Sequence, residues 1–425
     1  MKSRTDDERY STRIQFRKLP DLHILLIHQA FVALDEPGGT RHHELARYFA
    51  EHGHRVTIIT SPISYLTGKA HLSKIPWVEK QNDGELITIL RAYAYPSLHR
   101  SFVHRLINFF SFMVSSFIIG LRVKKVDLVW GTSPPIFQGL TAWSLARLKR
   151  VPILFEVRDL WPAFAVAVGV LRQPLLIMLS EWLEHFLYHR ADRVVVNSPG
   201  YIQYVQSRGA HQVELVPNGT DTAMFNPSVN GVIFRSAHGL EEKFVALYAG
   251  AHGLSNDLGV VLQAAKRLLP RKDIAIVLLG DGKDKLALQT QAARDGLDNL
   301  TFLPPIPKLE MPSALAAADI CIAILKPVEL YKTTYPNKVF DYMASGKPVV
   351  LAIDGVIRQV IENAGAGIPV PPGNPEALAD AILSLANDRE LVDRMGHQGR
   401  SYVETYFDRA SLASKFMGIM VRLVS

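Results

Sequence analysis

Short apolar runs alternate with helical stretches along nearly the whole chain, and they form two successive sets. The first set consists of residues 23–28, 55–60, 127–130, 152–155 and 193–196. The second set consists of residues 244–248, 275–279, 300–303, 320–325 and 348–351. Strands that alternate with helices are typical of a parallel sheet covered by helices on both faces. The pattern therefore predicts an α/β chain built of two Rossmann-like, doubly wound domains.

The chain has 425 residues, which is more than one core of ordinary size organises, and this length also favours two domains. Residues 1–20 form a polar N-terminal tail, and residues 21–220 are predicted to form the first domain. A stretch with proline and glycine at 225–242 opens the second domain, predicted over 221–405. A last helix, about 406–425, is expected to pack back on the first domain. Because ligands bind beyond the carboxyl ends of parallel strands, two facing sheets predict a substrate cleft.

Composition and charge limit the classes of function. The single cysteine, Cys321, lies in an apolar run and excludes an internal disulfide. Residues 1–21 carry charges of both signs and lack the apolar core of a secretory leader, so a cytoplasmic protein is expected. The net charge of +7 fits nucleic acid, anionic lipid or phosphate-bearing substrates as partners. Nucleic acid is disfavoured because the sequence has no basic-aromatic stripe or recognition motif.

The longest uncharged apolar segment covers residues 106–121. Cations flank it on both sides, namely Arg105 before it and Arg122, Lys124 and Lys125 after it. The segment is shorter than the roughly 20 residues of a membrane-spanning helix, which disfavours a true span and leaves a buried helix and a helix docked on a bilayer surface as the main alternatives. Apolar residues between cations favour anionic lipid and predict a peripheral protein on the inner face of the plasma membrane. A wholly buried helix predicts instead that a charge at Phe109 or Phe117 unfolds the protein.

Three loops that contain glycine follow predicted strands. Gly38 and Gly39 precede Thr40, which is predicted to cap the next helix. Free backbone N–H groups at a helix start, together with the helix dipole, favour a bound diphosphate. Two loops of the second half have the same character, and they contribute His252, Gly253, Gly280 and Gly282. Each loop alone is equally consistent with a tight turn, whereas the three together favour a nucleotide site.

A cluster of polar residues surrounds a predicted helix start at residues 336–342. Asn337 and Lys338 lie at this start, and Asp341 follows three residues after the lysine. A donor nucleotide requires a cation for its phosphates and an acceptor for its ribose hydroxyls, and this spacing offers both. An exposed first turn with one i,i+3 ion pair is the alternative.

A second cluster, of charged residues, ends a predicted strand of the first domain. It contains Glu156, Arg158 and Asp159, with Trp161 beside them. Two carboxylates and an arginine at one strand end favour a functional site, and a structural ion pair is the alternative. The sequence contains neither Asp-x-Asp nor a zinc-binding spacing of histidines or cysteines, so no metal or other cofactor is expected.

With these residues the chain resembles the large family of retaining glycosyltransferases that includes sucrose synthases and mannosyltransferases, the group 1 or family 4 type. Their architecture of two facing Rossmann-like domains is called GT-B. The sequence is similar in particular to bacterial surface-polysaccharide enzymes of the N-acetyl-fucosamine transferase type. The strings that carry the likeness are residues 38–41, 132–135, 155–162 and 338–348. The resemblance covers residues 23 to about 407, and residues 217–221 match the family's entry into the second domain.

The resemblance implies transfer of a sugar, an N-acetylated amino- or deoxy-sugar, from a UDP-sugar to a lipid-linked saccharide, with retention, in O-antigen or capsule synthesis. The implied catalytic residues are Arg158, Asp159 and Glu156. The implied donor-binding residues are Gly38, Gly39, His252, Gly253, Gly280, Gly282, Ile306, Asn337, Lys338 and Asp341. Two alternatives remain: an epimerase of similar shape that acts on nucleotide sugars, and a nucleotide-binding protein without turnover.

The sequence departs from the family pattern at several positions. They are Thr333 and Asp341 in place of two glutamates, Ala251 and Asn256 in place of an arginine and a lysine, and Arg158 in place of a histidine. A rearrangement is predicted in which Lys338 binds the phosphates and Asp341 holds the ribose, because a cation and a carboxylate are both retained. Arg158 and Asp159 are expected to orient the sugar or the incoming hydroxyl.

Overall fold

The computed structural model describes residues 21–33, 39–63, 68, 70, 75–96 and 102–425. The predicted tail at 1–20 and Gly38 lie outside the described residues, and so do residues 98–101, which precede the apolar segment.

The first sheet contains eight described strands. They are β1 (His23–Ile27), β2 (Arg55–Thr60), β3 (Val78–Asp83), β4 (Ile87–Ala92), β5 (Leu128–Ser133), β6 (Ile153–Val157), β7 (Arg193–Val196) and β8 (Val213–Leu215). Their order across the sheet is β3-β4-β2-β1-β5-β6-β7-β8. Neighbouring strands are parallel except for β3 and β4.

The second sheet contains six strands, all parallel to their neighbours. They are β9 (Phe244–Ala249), β10 (Ile274–Leu279), β11 (Leu300–Leu303), β12 (Ile320–Ile324), β13 (Val349–Ala352) and β14 (Gly367–Pro369). Their order is β11-β10-β9-β12-β13-β14. The two sheets confirm the predicted α/β fold of two parallel-sheet domains, and their central strands are the continuous apolar runs expected of strands covered on both faces.

Helices cover both sheets. In the first half they are α1 (Arg41–Glu51), α2 (Phe102–Arg122), α3 (Phe137–Lys149), α4 (Ala163–Ala167), α5 (Pro174–Arg190) and α6 (Ile202–Ser207). In the second half they are α7 (Val232–Ala237), α8 (Leu258–Arg267), α9 (Lys285–Arg294), α10 (Met311–Ala316), α11 (Asn337–Ala344), α12 (Val356–Ala364), α13 (Pro375–Asn387), α14 (Arg389–Tyr406) and α15 (Arg409–Val424). Short 3₁₀ turns occur at Pro199–Tyr201, Leu254–Asn256, Lys308–Glu310 and Glu329–Thr333.

The first sheet departs from the parallel arrangement at one edge. Strands β3 and β4 form an antiparallel hairpin connected by residues 84–86, and Gly84 adopts a φ of 73° in this turn. A connection this short joins antiparallel strands only, because a parallel pair requires a long crossover. Strand β3 is polar and largely exposed, so no apolar run marked it in the sequence.

The two segments that connect the domains run side by side. Thr220 donates its N–H to the carbonyl of Phe407 at 2.9 Å, and Arg409 donates its N–H to the carbonyl of Thr220 at 2.8 Å. Arg41 of α1 donates to the carbonyl of Pro217 at 2.8 Å and thereby holds the first segment against the first domain. These contacts join the two connecting segments, and we call this junction the hinge.

Helix α15 follows the second of the two connecting segments and packs against the first domain. Phe416 is fully buried, with its ring centroid 5.0 Å from that of Trp130 and 6.1 Å from that of Phe49. Met417 and Met420 belong to the same core cluster. The end of the chain therefore stabilises the domain with which the chain begins.

Helix α2 has one buried and one exposed face. Phe109 and Phe112 are buried, and Phe117 packs against the same core. On the opposite face Phe110 and Val114 are more than half exposed. By length and composition α2 is the one helix, among the residues described, that could cross a membrane, although a core helix of a soluble protein meets the same criterion. The helix is therefore neither wholly buried nor wholly exposed.

Candidate active site

A cleft of about 660 Å³ lies between the carboxyl ends of the two sheets. Its lining includes Gly39, Arg158, Asp159, Asn197 and Tyr201 of the first domain, and Ser255, Lys308, Tyr331, Thr334 and Asn337 of the second. Parallel sheets bind ligands at this edge, and the volume is within the roughly 300–1,000 Å³ of small-molecule sites. The cleft is therefore the candidate active site.

Glu156 is the centre of a buried polar network at the end of β6. Arg41 Nε donates to Glu156 Oε1 at 2.9 Å, Trp130 Nε1 donates to Oε2 at 3.2 Å, and His42 Nε2 lies 2.8 Å from Oε2. Burial alone would raise the pKa of this carboxyl, but the charge of Arg41 and the contact with His42 hold the pKa well below its usual range. Because Glu156 is fully buried and both of its oxygens are engaged by these residues, the predicted catalytic role of Glu156 is corrected to the positioning of Arg41 and His42.

Arg158 and Asp159 follow β6 and reach the cleft. Arg158 Nη1 lies 3.3 Å from Nδ1 of His42, and the backbone carbonyl of Arg158 accepts a hydrogen bond from Asn197 Nδ2 at 3.2 Å. Burial raises the pKa of Asp159 to about 7, and the charge of Arg158 opposes this increase only in part. A carboxyl that titrates near neutral pH beside a guanidinium is suited to a hydrogen bond with a substrate hydroxyl.

Two neutral histidines beside this network were not predicted from the sequence. The rings of His28 and His42 lie 4.2 Å apart, centroid to centroid. Burial lowers the pKa of His42 to about 4 and lowers the pKa of His28 well below its usual range. Neither ring nitrogen of His28 has a hydrogen-bond partner in the part of the chain that the structure describes, which is uncommon for a buried polar group. The available signal was the position of His28 directly after β1.

Lys338 lies in the first turn of α11, in a space formed by Tyr248 and Gly250. Its Nζ is 3.9 Å from the centroid of the Tyr248 ring and has no hydrogen-bond or ion-pair partner among the described residues. Gly250 has a φ of 149°, which favours glycine, and a β-carbon there would lie 2.4 Å from Nζ and displace the ammonium. Burial lowers the pKa of Lys338 to about 7. A cation in a low-dielectric site at a helix N-terminus is suited to an anionic ligand.

Two second-domain glycines, Gly280 and Gly282, take part in loop packing. A β-carbon on Gly280 would lie 1.9 Å from the carbonyl oxygen of Gly250, and one on Gly282 would lie 2.3 Å from that of His252. These glycines permit two loops to pack on each other, and neither lines the cleft. The structure therefore shows a packing role for both glycines, and their approach to a nucleotide stays a prediction.

Gly39 and Gly253 border open space, since a β-carbon on either would meet nothing within 4 Å. Gly39 lines the cleft, whereas Gly253 precedes the 3₁₀ turn that contributes Ser255 to it. Thr40 takes the N-cap position of α1, but its hydroxyl donates to Glu44 instead of capping the helix as predicted.

His252 is fully buried where its own loop, after β9, packs on the loop that contains Gly280 and Gly282. Neither of its ring nitrogens has a hydrogen-bond partner within the described ranges. Burial lowers the pKa of His252 to about 4, assisted by the charges of Lys285 and Lys338, so the ring is neutral at pH 7.

Asp341 already has hydrogen-bond partners on both carboxylate oxygens. Thr220 Oγ1 donates to Oδ1 at 2.7 Å, and Lys308 Nζ donates to Oδ2 at 2.6 Å. The carboxylate joins the hinge at Thr220 to Lys308, and the predicted role of Asp341 in holding the ribose stays a prediction. Lys308 itself lines the cleft and was not predicted. Asn337 also lines it, with an Oδ1 that lacks a partner among the described residues.

The positions that depart from the family pattern do not share one environment. The carbonyl of Thr333 accepts a hydrogen bond from Ser198 Oγ at 2.5 Å, so this position joins the two domains. Ala251 is exposed, and its carbonyl accepts from the Tyr248 hydroxyl at 2.7 Å. Ile306, predicted to contact the donor, is half-buried against the second-domain core.

The described residues contain no group of three or more His, Cys, Asp or Glu side chains that could hold a metal ion. A metal-independent reaction stays a prediction.

Two family models match the chain in succession. The model described as Glycosyl transferase 4-like domain matches residues 38–219, and the model described as Glycosyl transferases group 1 matches residues 243–388. The first match covers most of the first sheet and the second match covers the second sheet, so each wall of the cleft belongs to one model.

Full-length relatives agree with these matches. The chain is 24% identical to the colanic acid biosynthesis glycosyl transferase WcaI of Escherichia coli (strain K12) over 387 residues, 88% of this chain and 93% of the relative. Among solved structures, it is similar to sucrose-phosphate synthase from Thermosynechococcus elongatus, with a TM-score of 0.77, 18% identity and coverage of 95% and 99% of the two chains. It is also similar to the Anabaena protein Alr3699/HepE in complex with UDP and glucose, with a TM-score of 0.70, 16% identity and coverage of 94% and 100%.

Three findings lead to one assignment. They are the two consecutive family models, the relative that matches along nearly its whole length, and the two facing sheets. The chain is a glycosyltransferase with the GT-B fold, in which a glycosyl transferase 4-like domain is followed by a glycosyl transferases group 1 domain.

Proposed function

We propose that this glycosyltransferase moves a sugar from a UDP-sugar to a lipid-linked saccharide at a membrane surface, with retention of configuration. The observation that carries the proposal is Lys338, a partly buried cation without an anionic partner among the described residues, at the N-terminus of α11. A diphosphate supplies the missing negative charge. The complex of the Anabaena protein with UDP and glucose supports a uridine nucleotide as the donor.

The donor diphosphate is assigned to the second-domain wall. Lys338 neutralises it, and the dipole of α11 adds a favourable field at the same place. These two sources of positive charge take the role that a divalent metal has in other transferases, so the reaction is expected to proceed without one. Gly253 and Gly39 leave backbone accessible where the donor enters.

The sugar and the acceptor hydroxyl are assigned to the first-domain wall. Arg158 and Asp159 line the cleft there, and the buried network of Glu156, Arg41 and His42 fixes the strand end from which they project. Rigid support of this kind is what orientation of two reactants requires. A carboxyl with a pKa of about 7 can hold the acceptor hydroxyl in either protonation state.

The reaction is proposed to occur on one face of the sugar. The acceptor oxygen bonds to the anomeric carbon as the bond from that carbon to the diphosphate oxygen breaks, and the acceptor proton passes to the departing diphosphate. Configuration is retained because both groups occupy the same face. Such a step depends on stabilisation of developing charge rather than on a protein nucleophile, and Lys338 is placed to supply it.

The polysaccharide context is supported by the E. coli relative, whose name refers to colanic acid biosynthesis. An N-acetylated amino- or deoxy-sugar as the transferred group, and O antigen or capsule as the product, follow from the sequence resemblance alone.

A membrane location is supported by an apolar face on the first domain. We use the term apolar face for Val103, Ile107, Phe110 and Val114 of α2 with Leu175, Met178, Leu179 and Trp182 of α5, each 44–61% exposed. Both sets recur at helical spacing and form one stripe per helix. Residues 101–150 contain seven Lys or Arg and a single Asp, which suits anionic headgroups on the inner face of the plasma membrane.

The function is tested with a panel of nucleotide sugars. Binding is measured by calorimetry, and transfer is then measured from each bound donor to a lipid-linked saccharide, with EDTA and with Mn²⁺. We expect a UDP-sugar to bind and to be transferred equally well in EDTA. Conversion of the donor without acceptor would establish the epimerase alternative, and binding without either product would establish a protein without turnover.

The membrane location is tested by flotation with anionic vesicles. The wild type is expected to float at low salt and to dissociate as salt increases, because surface charges are screened. Phe110→Glu should reduce flotation, whereas Leu286→Glu, an equally drastic change at an exposed leucine of α9, should not. Phe109 is unsuited to this test because it is buried. A folded wild type that never floats would contradict the location.

A further inference from the structure

A second, narrower pocket of about 100 Å³ opens beside the cleft in the first domain. It lies between the start of α2, the turn at Pro134 and Pro135, and the segment from α4 to α5. Apart from Arg105 and Ser180 its lining is apolar, and it includes the rings of Phe109, Phe137 and Trp161. The reaction proposed above leaves this pocket unused.

The pocket and the cleft are continuous. Five residues line both of them, namely Arg105, Pro134, Trp161, Ala165 and Val170. A ligand that occupies the cleft can therefore extend into the pocket without leaving the protein.

Arg105 lies at this junction. Its side chain is partly buried and makes no hydrogen bond or ion pair within the described residues. A guanidinium without a partner beside an apolar pocket is complementary to a ligand in which a phosphate group joins a hydrocarbon chain.

The helices that form the pocket also carry the apolar face. Arg105, Leu106 and Phe109 of α2 line the pocket, while Ile107 and Phe110 of the same turns are exposed. On α5, Leu176 and Ser180 line it, while Leu175 and Leu179 are exposed. A hydrocarbon chain in the pocket therefore lies next to the surface that is proposed to meet the bilayer.

We propose that the pocket binds the first isoprenoid units of a polyprenyl-diphosphate acceptor. Arg105 contacts the diphosphate at the junction, and the attached saccharide extends into the cleft toward Arg158 and Asp159. This assignment rests on the proposed lipid-linked acceptor and specifies its lipid. The isoprenoid chain is favoured because its methyl groups and flat double bonds pack against the aromatic rings of the lining.

The test measures binding of farnesyl diphosphate to the full chain by calorimetry. The affinity for inorganic diphosphate measures the contribution of the head group alone. The affinity for dodecyl phosphate measures that of a phosphate with an unbranched chain. Ala165→Trp fills the junction, and Ala167→Trp, two residues later and exposed outside the pocket, is the matched control. Arg105→Gln removes the cation, and Arg105→Lys retains it.

Farnesyl diphosphate is expected to bind at least tenfold more tightly than inorganic diphosphate and more tightly than dodecyl phosphate. Ala165→Trp and Arg105→Gln should each weaken it at least tenfold, whereas Ala167→Trp should bind as the wild type and Arg105→Lys should restore most of the affinity. Equal affinities for Ala165→Trp and Ala167→Trp, or a preference for dodecyl phosphate, would overturn the assignment. UDP affinity and sugar transfer are separate readouts, so a failure of the proposed function is distinguishable from a failure of this pocket.

Discussion

The two domains differ in how the charged side chains at the cleft are neutralised. On the first-domain wall Glu156 is buried, but Arg41, His42 and Trp130 satisfy both of its oxygens. In the second domain, next to Asn337 of the cleft lining, Lys338 is partly buried beside the Tyr248 ring, and no described residue forms a hydrogen bond or an ion pair with it. The charge of Glu156 is satisfied without a ligand, whereas the desolvation of Lys338 carries a cost that an anion relieves. The comparison indicates that the first wall holds its shape and that the second wall provides the binding energy.

The largest expected effect comes from breaking the network around Glu156. Glu156→Gln leaves the buried Arg41 without its charge partner and should lower the free energy of unfolding by about 3–5 kcal/mol. Lys338→Met removes a cation that has no partner among the residues described, so stability should stay the same or increase. Urea unfolding monitored by tryptophan fluorescence compares the two variants. Equal losses would mean that the two walls do not differ as described.

Asp159 is the exception on the first wall, since burial raises the pKa of its carboxyl from 3.8 to about 7. Between these values the folded protein binds more protons than the unfolded chain, so this group lowers stability as the pH rises from about 4 to about 7. Asp159→Asn should therefore be more stable than the wild type at pH 8, on the order of 2–4 kcal/mol, with little difference at pH 4. Transfer activity should fall in the same variant. Stability that matches the wild type at pH 8 would contradict the burial of this charge.

The third effect is on ligand affinity. Lys338→Ala should weaken UDP binding by on the order of 1.5–3 kcal/mol, the usual contribution of a charge-assisted contact. Lys332→Ala is the matched control, because Lys332 is exposed on the neighbouring 3₁₀ turn and pairs with Glu329. Calorimetry on both variants measures the difference. UDP affinities that are the same in both would remove Lys338 from the donor site.

Most of the fold could be predicted because buried parallel strands have continuous apolar sequences. Strand β10, with the sequence IAIVLL, is wholly buried and begins one residue before the predicted run. Strand β3, with the sequence VEKQND, has no such signal because it forms a polar edge. Helix α5 is apolar on several sides, so its sequence did not reveal that Met178 and Trp182 are exposed while Leu183 and Leu187 are buried.

The site could be predicted in part. The sequence singled out Lys338, Arg158 and Asp159 because charged residues next to glycines and strand ends can be recognised without a structure, and Arg158 and Asp159 do line the cleft. Their surroundings could not be recognised in this way, because the Tyr248 ring beneath Lys338 and the hydrogen bonds around Glu156 depend on residues far apart in the chain. Gly280 illustrates the limit of prediction from sequence, since a glycine required for loop packing cannot be distinguished in the sequence from one required for ligand binding.

The central claim is that Lys338 is the cation that receives the donor diphosphate. With a pKa of about 7, Lys338 is mostly neutral at pH 8 in the free enzyme, and a bound diphosphate should restore its charge. UDP binding measured by calorimetry at pH 8, in two buffers with different ionisation enthalpies, should therefore reveal uptake of most of one proton, and Lys338→Ala should abolish it. Identical heats in the two buffers for the wild type, or uptake that persists in Lys338→Ala, would contradict the account.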